Sequence, residues 1–384
     1  MVKALYGLKQ APRAWFNKLK HAFLKWVFVS SVADSSLFIY RKNGQVMYVI
    51  VYVDDILLTS PDANFVHEIV HKLNVDFALK TLGSLKYFLG FEVHRNASGL
   101  HMSQAKYAHD LLVKTGMMDS NPCSTPMAIG SKLTFEDSAL FEKPALYRST
   151  IGALQYLTLS RPEIAYSINK LSQFLKAPTQ LHWQACKRLL RYLKGTINFG
   201  IQFSKISRFH LECFTDADWA GDIQDRRSTS GCCVFLGSNL LQWSSRKQRV
   251  VSLSSTEAEY RALAQGATEL AWFRSLFSEM GSLASNPIFH ARTKHIELDA
   301  HYIREQVASN FVKVQYVPIE HQTADIFTKS LSTSRFELLR NKLHVTAPTA
   351  LTDSASGSSQ NASVVSAFTA LTDSASGSSQ HASI

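Results

Sequence analysis

Residues 46–58 read Val-Met-Tyr-Val-Ile-Val-Tyr-Val-Asp-Asp-Ile-Leu-Leu, an apolar run split by two adjacent carboxylates, Asp54 and Asp55. Without them the run is one buried strand. With them it becomes a strand, a tight turn and a returning strand. An ionised carboxylate in apolar surroundings is costly unless something compensates it. One compensation is a hard divalent cation such as Mg²⁺, held by carboxylate oxygens together with substrate phosphates. The plain alternative is a β-hairpin whose turn happens to be Asp-Asp, because Asp favours turns. Both readings stay open on these residues alone.

The rest of the chain carries further motifs in a fixed order. Lys3-Ala4-Leu5-Tyr6-Gly7-Leu8-Lys9-Gln10-Ala11-Pro12-Arg13-Ala14-Trp15 precedes the Tyr52-Val53-Asp54-Asp55 box, and Leu82-Gly83-Ser84-Leu85-Lys86-Tyr87-Phe88-Leu89-Gly90 follows it. Then come Gly152-Ala153-Leu154-Gln155-Tyr156-Leu157 and Asp216-Ala217-Asp218-Trp219-Ala220-Gly221. Ser255-Thr256-Glu257-Ala258-Glu259-Tyr260 and Ala324-Asp325-Ile326-Phe327-Thr328-Lys329 complete the series. Over about residues 1–343 the chain resembles the reverse transcriptase and RNase H region of copia-type (Ty1/copia) retrotransposon Pol polyproteins. The resemblance implies an α/β (α+β) chain in four parts. These are a partial polymerase palm and thumb over 1–126, a helical tether over 127–205, an RNase H-like domain over 206–343, and a tail over 344–384.

Composition is compatible with that reading. A length of 384 residues suits two or three domains. A net charge of +11 with 11% aromatic residues fits a nucleic-acid partner, since phosphates attract Lys and Arg while bases stack on rings. The five cysteines, Cys123, Cys186, Cys213, Cys232 and Cys233, form no C-x-x-C pair and point to reduced thiols. They predict an intracellular protein, cytoplasmic or nuclear; no signal peptide or long apolar span is visible, so no membrane partner is expected.

Apolar spacing predicts helices over 11–28, 65–77 and 104–115, and helical structure through 147–193. The last stretch interleaves Lys187, Arg188 and Arg191 with Trp183 and Tyr192, which suits contact with a duplex; a solvated basic face is the plain alternative. Strands are expected over 210–216, 229–236 and 240–252, followed by a helix over 256–280 capped by Ser255. In the tail, the twelve residues from Thr349 recur identically from Thr369, and such Ser/Ala/Gly-rich sequence predicts disorder.

In the palm, the resemblance implies that Asp54 and Asp55 hold Mg²⁺ (or Mn²⁺), with primer-template and a dNTP as partners. Gln10 and Arg13 then line the nucleotide and template side. A third palm carboxylate is expected upstream of Met1, so little or no polymerase activity is expected from the chain by itself. In the RNase H-like part, the acids implied are Asp216, Glu259 and Asp325, acting on an RNA/DNA hybrid. Glu259 is preferred to Glu257 because it continues an apolar helical stripe through Leu263, Gly266, Leu270, Phe273 and Phe277. Asp325 also reads as a plain N-cap. The family carries a further Asp on a strand after the long helix, and here only Gly281-Ser282-Leu283 joins the flanking segments. A missing central strand would leave unpaired backbone on its neighbours. His295, Asp299 and His301 lack the fourth ligand of a structural zinc site.

Overall fold

The computed structural model describes residues 10–77, 79–206, 209–281, 288–289, 297–309, 312–348 and 361–366. Outside them lie residues 3–9 of the first motif, the junction residues 282–287, His290, His295, Phe311 and both copies of the tail repeat. The chain divides into two compact units, one built mainly from residues up to Leu89 and the other mainly from Gly90 onward.

The first unit opens with α1 (Ala11–Lys25), started by Pro12, whose missing N–H costs nothing in a first turn. Strands β1 (Val29–Ser30), β2 (Leu37–Lys42), β3 (Gln45–Tyr52) and β4 (Asp55–Ser60) then form consecutive antiparallel pairs. The β2–β3 turn is Asn43–Gly44, both at positive φ, the chemistry that a two-residue hairpin requires. Next come α2 (Ala63–Phe77), β5 (Lys80–Ser84) and β6 (Tyr87–Phe88). Leu19 and Phe23 of α1, Phe38, Met47 and Val49 of the sheet, Ile56 and Leu58 of β4, and Ile69 and Leu73 of α2 share one core. Alternate residues of β4 are buried, as expected of a strand with one face against helices.

The second unit begins with β7 (Phe91–Asn96), β8 (Gly99–Ser103) and α3 (Ala105–Lys114). Helices α4 (Pro144–Leu157), α5 (Ala165–Ser172) and α6 (Gln180–Gly195) follow, then β9 (Gly200–Ser204). Strands β10 (Leu211–Asp218), β11 (Thr229–Leu236) and β12 (Asn239–Lys247) form an antiparallel meander. Helix α7 (Ser255–Glu279) leads to β13 (Ile288–Phe289), α8 (Glu297–Ala308), β14 (Lys313–Val314), a 3₁₀ turn at Thr323–Phe327, α9 (Thr333–Lys342) and β15 (Val345–Thr346). The main sheet runs β12-β11-β10-β13-β14, with β13 and β14 parallel to β10. That order, three antiparallel strands followed by parallel ones after a long helix, is RNase H-like.

Among the described residues, Ile288–Phe289 occupies the central strand position, and its register pair with β10 is Glu212↔Ile288. Among the described residues, the other seven residues of β10 have no partner on that side. The strand predicted over 240–252 stops at Lys247; Gln248 adds one last ladder bond, to Ser228 O, and its side chain is held by Ser230 and Ala258 O. The cap of α7 is Ser254, not Ser255. Ser254 Oγ accepts the Glu257 N–H at 3.1 Å, while Glu257 Oε2 accepts the Leu253 N–H at 2.8 Å. Residues on both sides of position 205 share one core, from Leu111 and Tyr147 through Leu189 and Leu193 to Phe235, Ile326 and Leu339.

Two described pieces of the tail are strands. Val345–Thr346 pairs with β9, and β16 (Asn361–Ser366) lies in the sheet of the first unit between β4 and β5. Disorder was expected there from composition. The stretch between the two repeat copies, Asn-Ala-Ser-Val-Val-Ser, is richer in β-branched residues than the repeats and has backbone partners on both sides.

Candidate active site

In the first unit, Tyr52 pairs with Asp55 across a two-residue turn made of Val53 and Asp54. Val53 has φ +49°, a left-handed conformation that β-branched residues rarely adopt. The turn is held by Trp15, whose indole Nε1–H donates to Val53 O at 2.8 Å. Tyr52 and Val53 are exposed, while Asp54 and Asp55 are half-buried at the rim. A strained, exposed tip clamped by an indole from α1 is a construction that fixes where two carboxylates point. Gln10 and Arg13 are exposed at the start of α1.

In the second unit, Asp216 lies near the end of β10, directly across from Gly231 of β11. A methyl group on Gly231 would meet Ala324 O and Thr328 Cγ2 at 2.8 Å and Phe327 Cβ at 2.9 Å. The bare backbone of Gly231 therefore lets the 3₁₀ turn carrying Asp325 rest on the sheet beside Asp216. Thr328 Oγ1–H donates to Asp216 Oδ2. Lys329 Nζ stands 2.9 Å from Asp325 Oδ1 and 3.6 Å from Asp216 Oδ2, and Arg335 Nη2 is 3.3 Å from Asp325 Oδ2. Asp325 is not the cap of its turn; the Gln322 side chain accepts the Ala324 N–H instead.

Glu259 comes from the second turn of α7 and accepts the Ala217 N–H at 3.4 Å. Its apolar stripe is buried as the spacing requires, with Leu263 and Leu270 fully enclosed. Glu257 faces elsewhere, in a 2.8 Å ion pair with Arg261. Burial first, and then the neighbouring Asp216, push the Glu259 carboxyl up to about 8. Burial likewise raises Asp216 and Asp218, against the pull of Lys329. Burial lowers Lys329, but Asp216 and Asp325 outweigh it and hold the ammonium above its ordinary value. Lys329 and Arg335 are the cations that face these acids.

Asp216, Glu259 and Asp325 are therefore brought together, and Asp54 with Asp55 form a separate pair in the other unit. Among the described residues, no three His, Cys, Asp or Glu side chains are grouped as a metal ion would need. Lys329 stands between two of the acids. Sequence reasoning did not single out Lys329, Thr328 or Gly231. The signal for Lys329 was its spacing of four from Asp325, which returns it to the same side of the turn.

Lys187, Arg188 and Arg191 are half-buried on α6. Arg188 Nη2 donates to Thr125 Oγ1 at 2.7 Å, and Arg191 Nε donates to Asn121 O at 2.6 Å. Those two cations fasten the segment that precedes α4.

Comparison with known proteins decides the lineage. A family model described as reverse transcriptase (RNA-dependent DNA polymerase) matches residues 1–129. The retrovirus-related Pol polyprotein from transposon RE1 of Arabidopsis thaliana is 45% identical over 90% of the chain. The corresponding polyprotein from transposon TNT 1-94 of Nicotiana tabacum is 33% identical over 88% of it. An uncharacterized mitochondrial protein of Arabidopsis thaliana is 46% identical over 59% of the chain and 94% of its own length. The chain belongs to the copia-type Pol family. It spans about a quarter of the length of the RE1 polyprotein. Its reverse transcriptase domain is that of a copia-type Pol polyprotein. Among the described residues of this Pol chain, no helix is long and apolar enough to cross a membrane.

Proposed function

We propose that the chain is the reverse transcriptase and RNase H region of a copia-type Pol polyprotein, acting on primer-template and RNA/DNA hybrid. In this reading it binds hybrid through its basic surface and is catalytically incomplete. The observation that carries the reading is the meeting of Asp216 from β10, Glu259 from α7 and Asp325 from the 3₁₀ turn, with Glu259 held up to about 8. Burial and the neighbouring acids raise that carboxyl, and a cation taking the place of Lys329 would relieve the repulsion among them. Mg²⁺ bound there would activate water and stabilise the charge that develops on a scissile phosphate.

The chain's own residues have definable parts. Thr328 orients Asp216 by donating to Oδ2. Lys329 balances Asp216 and Asp325, the residues that with Glu259 would hold a metal. Arg335 keeps Asp325 in place. The fourth acid of the family belongs to a strand between the long helix and Ala284, where this sequence has only Gly281-Ser282-Leu283. Three acids with an ammonium among them favour binding over turnover, because phosphoryl transfer depends on accurate placement of the ions. Asp54 and Asp55 belong, in the same reading, to the palm that holds Mg²⁺ with a dNTP.

The test uses a labelled RNA/DNA hybrid with the full chain. Affinity should fall steeply with salt, as release of counterions requires. RNA cleavage in Mg²⁺ should equal that of Asp216→Asn. Cleavage well above that variant would establish a complete centre and overturn the incompleteness. No salt-dependent shift would overturn the binding.

A further inference from the structure

The three acids stand on three carriers that are separate elements of the chain, β10, α7 and the 3₁₀ turn. Two glutamine side chains bridge those carriers beside the acids. Gln322 reaches from the turn to β10. Its Nε2–H donates to Thr215 O at 3.0 Å, and its Oε1 accepts the Ala324 N–H at 3.2 Å. Thr215 O belongs to the peptide bond that leads into Asp216, and Ala324 immediately precedes Asp325. One amide therefore grips the neighbour of each acid. Its orientation is fixed by chemistry, since a carbonyl only accepts and a backbone N–H only donates. Arg335 of α9 adds a second tie, donating to Gln322 O and to Asp325 Oδ2, both at 3.3 Å.

Gln248 does the same for α7. Its Nε2 donates to Ala258 O and to Ser230 Oγ, both at 2.9 Å, and its Oε1 accepts the Ser252 hydroxyl at 2.9 Å. Ala258 O belongs to the peptide bond that leads into Glu259. Ser230 is the register partner of Ala217, whose N–H donates to Glu259 Oε1. These contacts close a ring. It runs from the Glu259 side chain to β10, across to β11, and through Gln248 back to the peptide of Glu259 itself. Gln248, Ser230 and Ser252 are buried, and both amide protons of Gln248 are committed within the ring. A buried polar network satisfied in this way specifies one geometry.

We infer that Gln322 and Gln248 are the positioning residues of the acid cluster, Gln322 seating the Asp325 turn on β10 and Gln248 seating the Glu259 end of α7 on β11. Contact with Gly231 sets how closely the turn approaches the sheet, but packing of that kind has no direction. Hydrogen bonds at both ends of an amide do, and they fix the turn along the strand as well as above it. As positioning residues of an RNase H centre the two glutamines rest on the function proposed above. The spacing they set is a property of the chain alone and is measurable without hybrid or metal.

Methionine keeps the length of glutamine and removes the amide, so Gln322→Met and Gln248→Met in the full chain make the test. For Gln322 the reporter is the Thr328 hydroxyl on Asp216, which spans the turn and β10. The coupling of Asp216→Asn with Thr328→Val, read as a ratio of unfolding constants in urea, should be at least about fivefold in the parent and less than about twofold in Gln322→Met. For Gln248 the reporter is the Ala217 amide resonance in a chain labelled with [15N]alanine. Glu259→Gln should move it in the parent; Gln248→Met should move it too, and should cut the further effect of Glu259→Gln by at least about threefold. The Thr179–Asp137 hydrogen bond at the start of α6 is the control and should keep its coupling in both variants. An unchanged Asp216–Thr328 coupling in Gln322→Met, or an Ala217 resonance untouched by Gln248→Met, would overturn the inference. So would loss of the control coupling, which would make the glutamines merely structural. Should a Met variant fail to fold, Asn at the same position, one methylene too short to span both partners, decides by the same readouts. Failure of the chain to bind hybrid overturns the proposed function and leaves these readouts standing.

Discussion

Substitution of Glu259 by Gln should stabilise the second unit, and by an amount that depends on pH. The native carboxyl titrates at about 8, against an ordinary glutamate value of 4.5. Between those values the folded chain binds a proton that the unfolded chain has lost. Stability from this group is therefore fully present below pH 4.5 and falls as pH rises through about 8. At about 1.4 kcal/mol for each pH unit, the whole gap is about 5 kcal/mol. Gln resembles the protonated acid, so Glu259→Gln should stabilise by about 5 kcal/mol at pH 9, about 3 at pH 7 and less than about 1 at pH 5. The groups facing Glu259 are Asp216, Asp325 and Lys329. Urea unfolding followed by tryptophan fluorescence at the three pH values measures the effect. Millimolar Mg²⁺ should stabilise the parent chain at pH 8 and leave Glu259→Gln nearly unchanged, since a ligand of the native state acts only where it binds. A Gln variant that is destabilised, or shifted equally at all three pH values, would refute the placement of Glu259 against the acids.

Three further outcomes are expected. Arg161 is almost wholly enclosed and donates to Glu163 Oε1 at 2.7 Å and to Thr196 O at 2.8 Å. Arg161→Met should cost about 3–5 kcal/mol by stranding the buried Glu163 charge, and Glu163→Gln on top of it should recover part of the loss in the same urea titration. Val53→Gly should raise stability of the first unit by about 1 kcal/mol by removing a β-branched residue from positive φ; a drop of similar size in thermal melts would show that the side chain packs usefully. Lys187→Ala should lower hybrid affinity and reduce the log–log salt slope by about 1, whereas Asp55→Asn should leave both as they are.

The hairpin was legible because its period-two pattern and its paired acids are contiguous in sequence. The different surroundings of Glu259 and Glu257 were legible for a similar reason. Helical spacing sorts two acids onto different faces, and Glu257 is taken up by the cap with Ser254 and the pair with Arg261. The role of Lys329 was not legible, since it depends on a 3₁₀ turn settling on Gly231, more than ninety positions away. The partners of Arg188 and Arg191 were hidden as well. Both cations looked free for phosphates until Thr125 and Asn121 proved to lie beside them. Least legible was β16, whose strand partners precede it by some three hundred residues. Composition assigns those residues to a polar tail, and the pairing of residues 361–366 is wholly non-local.

Gly231 gives the acid centre an unexpected vulnerability. The carriers of Asp216 and Asp325 are separated by a thickness of one bare backbone, and any side chain at position 231 acts as a shim between them. Alanine there would keep every acid, every helix and most of the core, yet lift one acid off the other. Under the proposed reading, the surviving acids are then a poor guide to the state of the centre, since one added methyl separates them with every signature residue still in place.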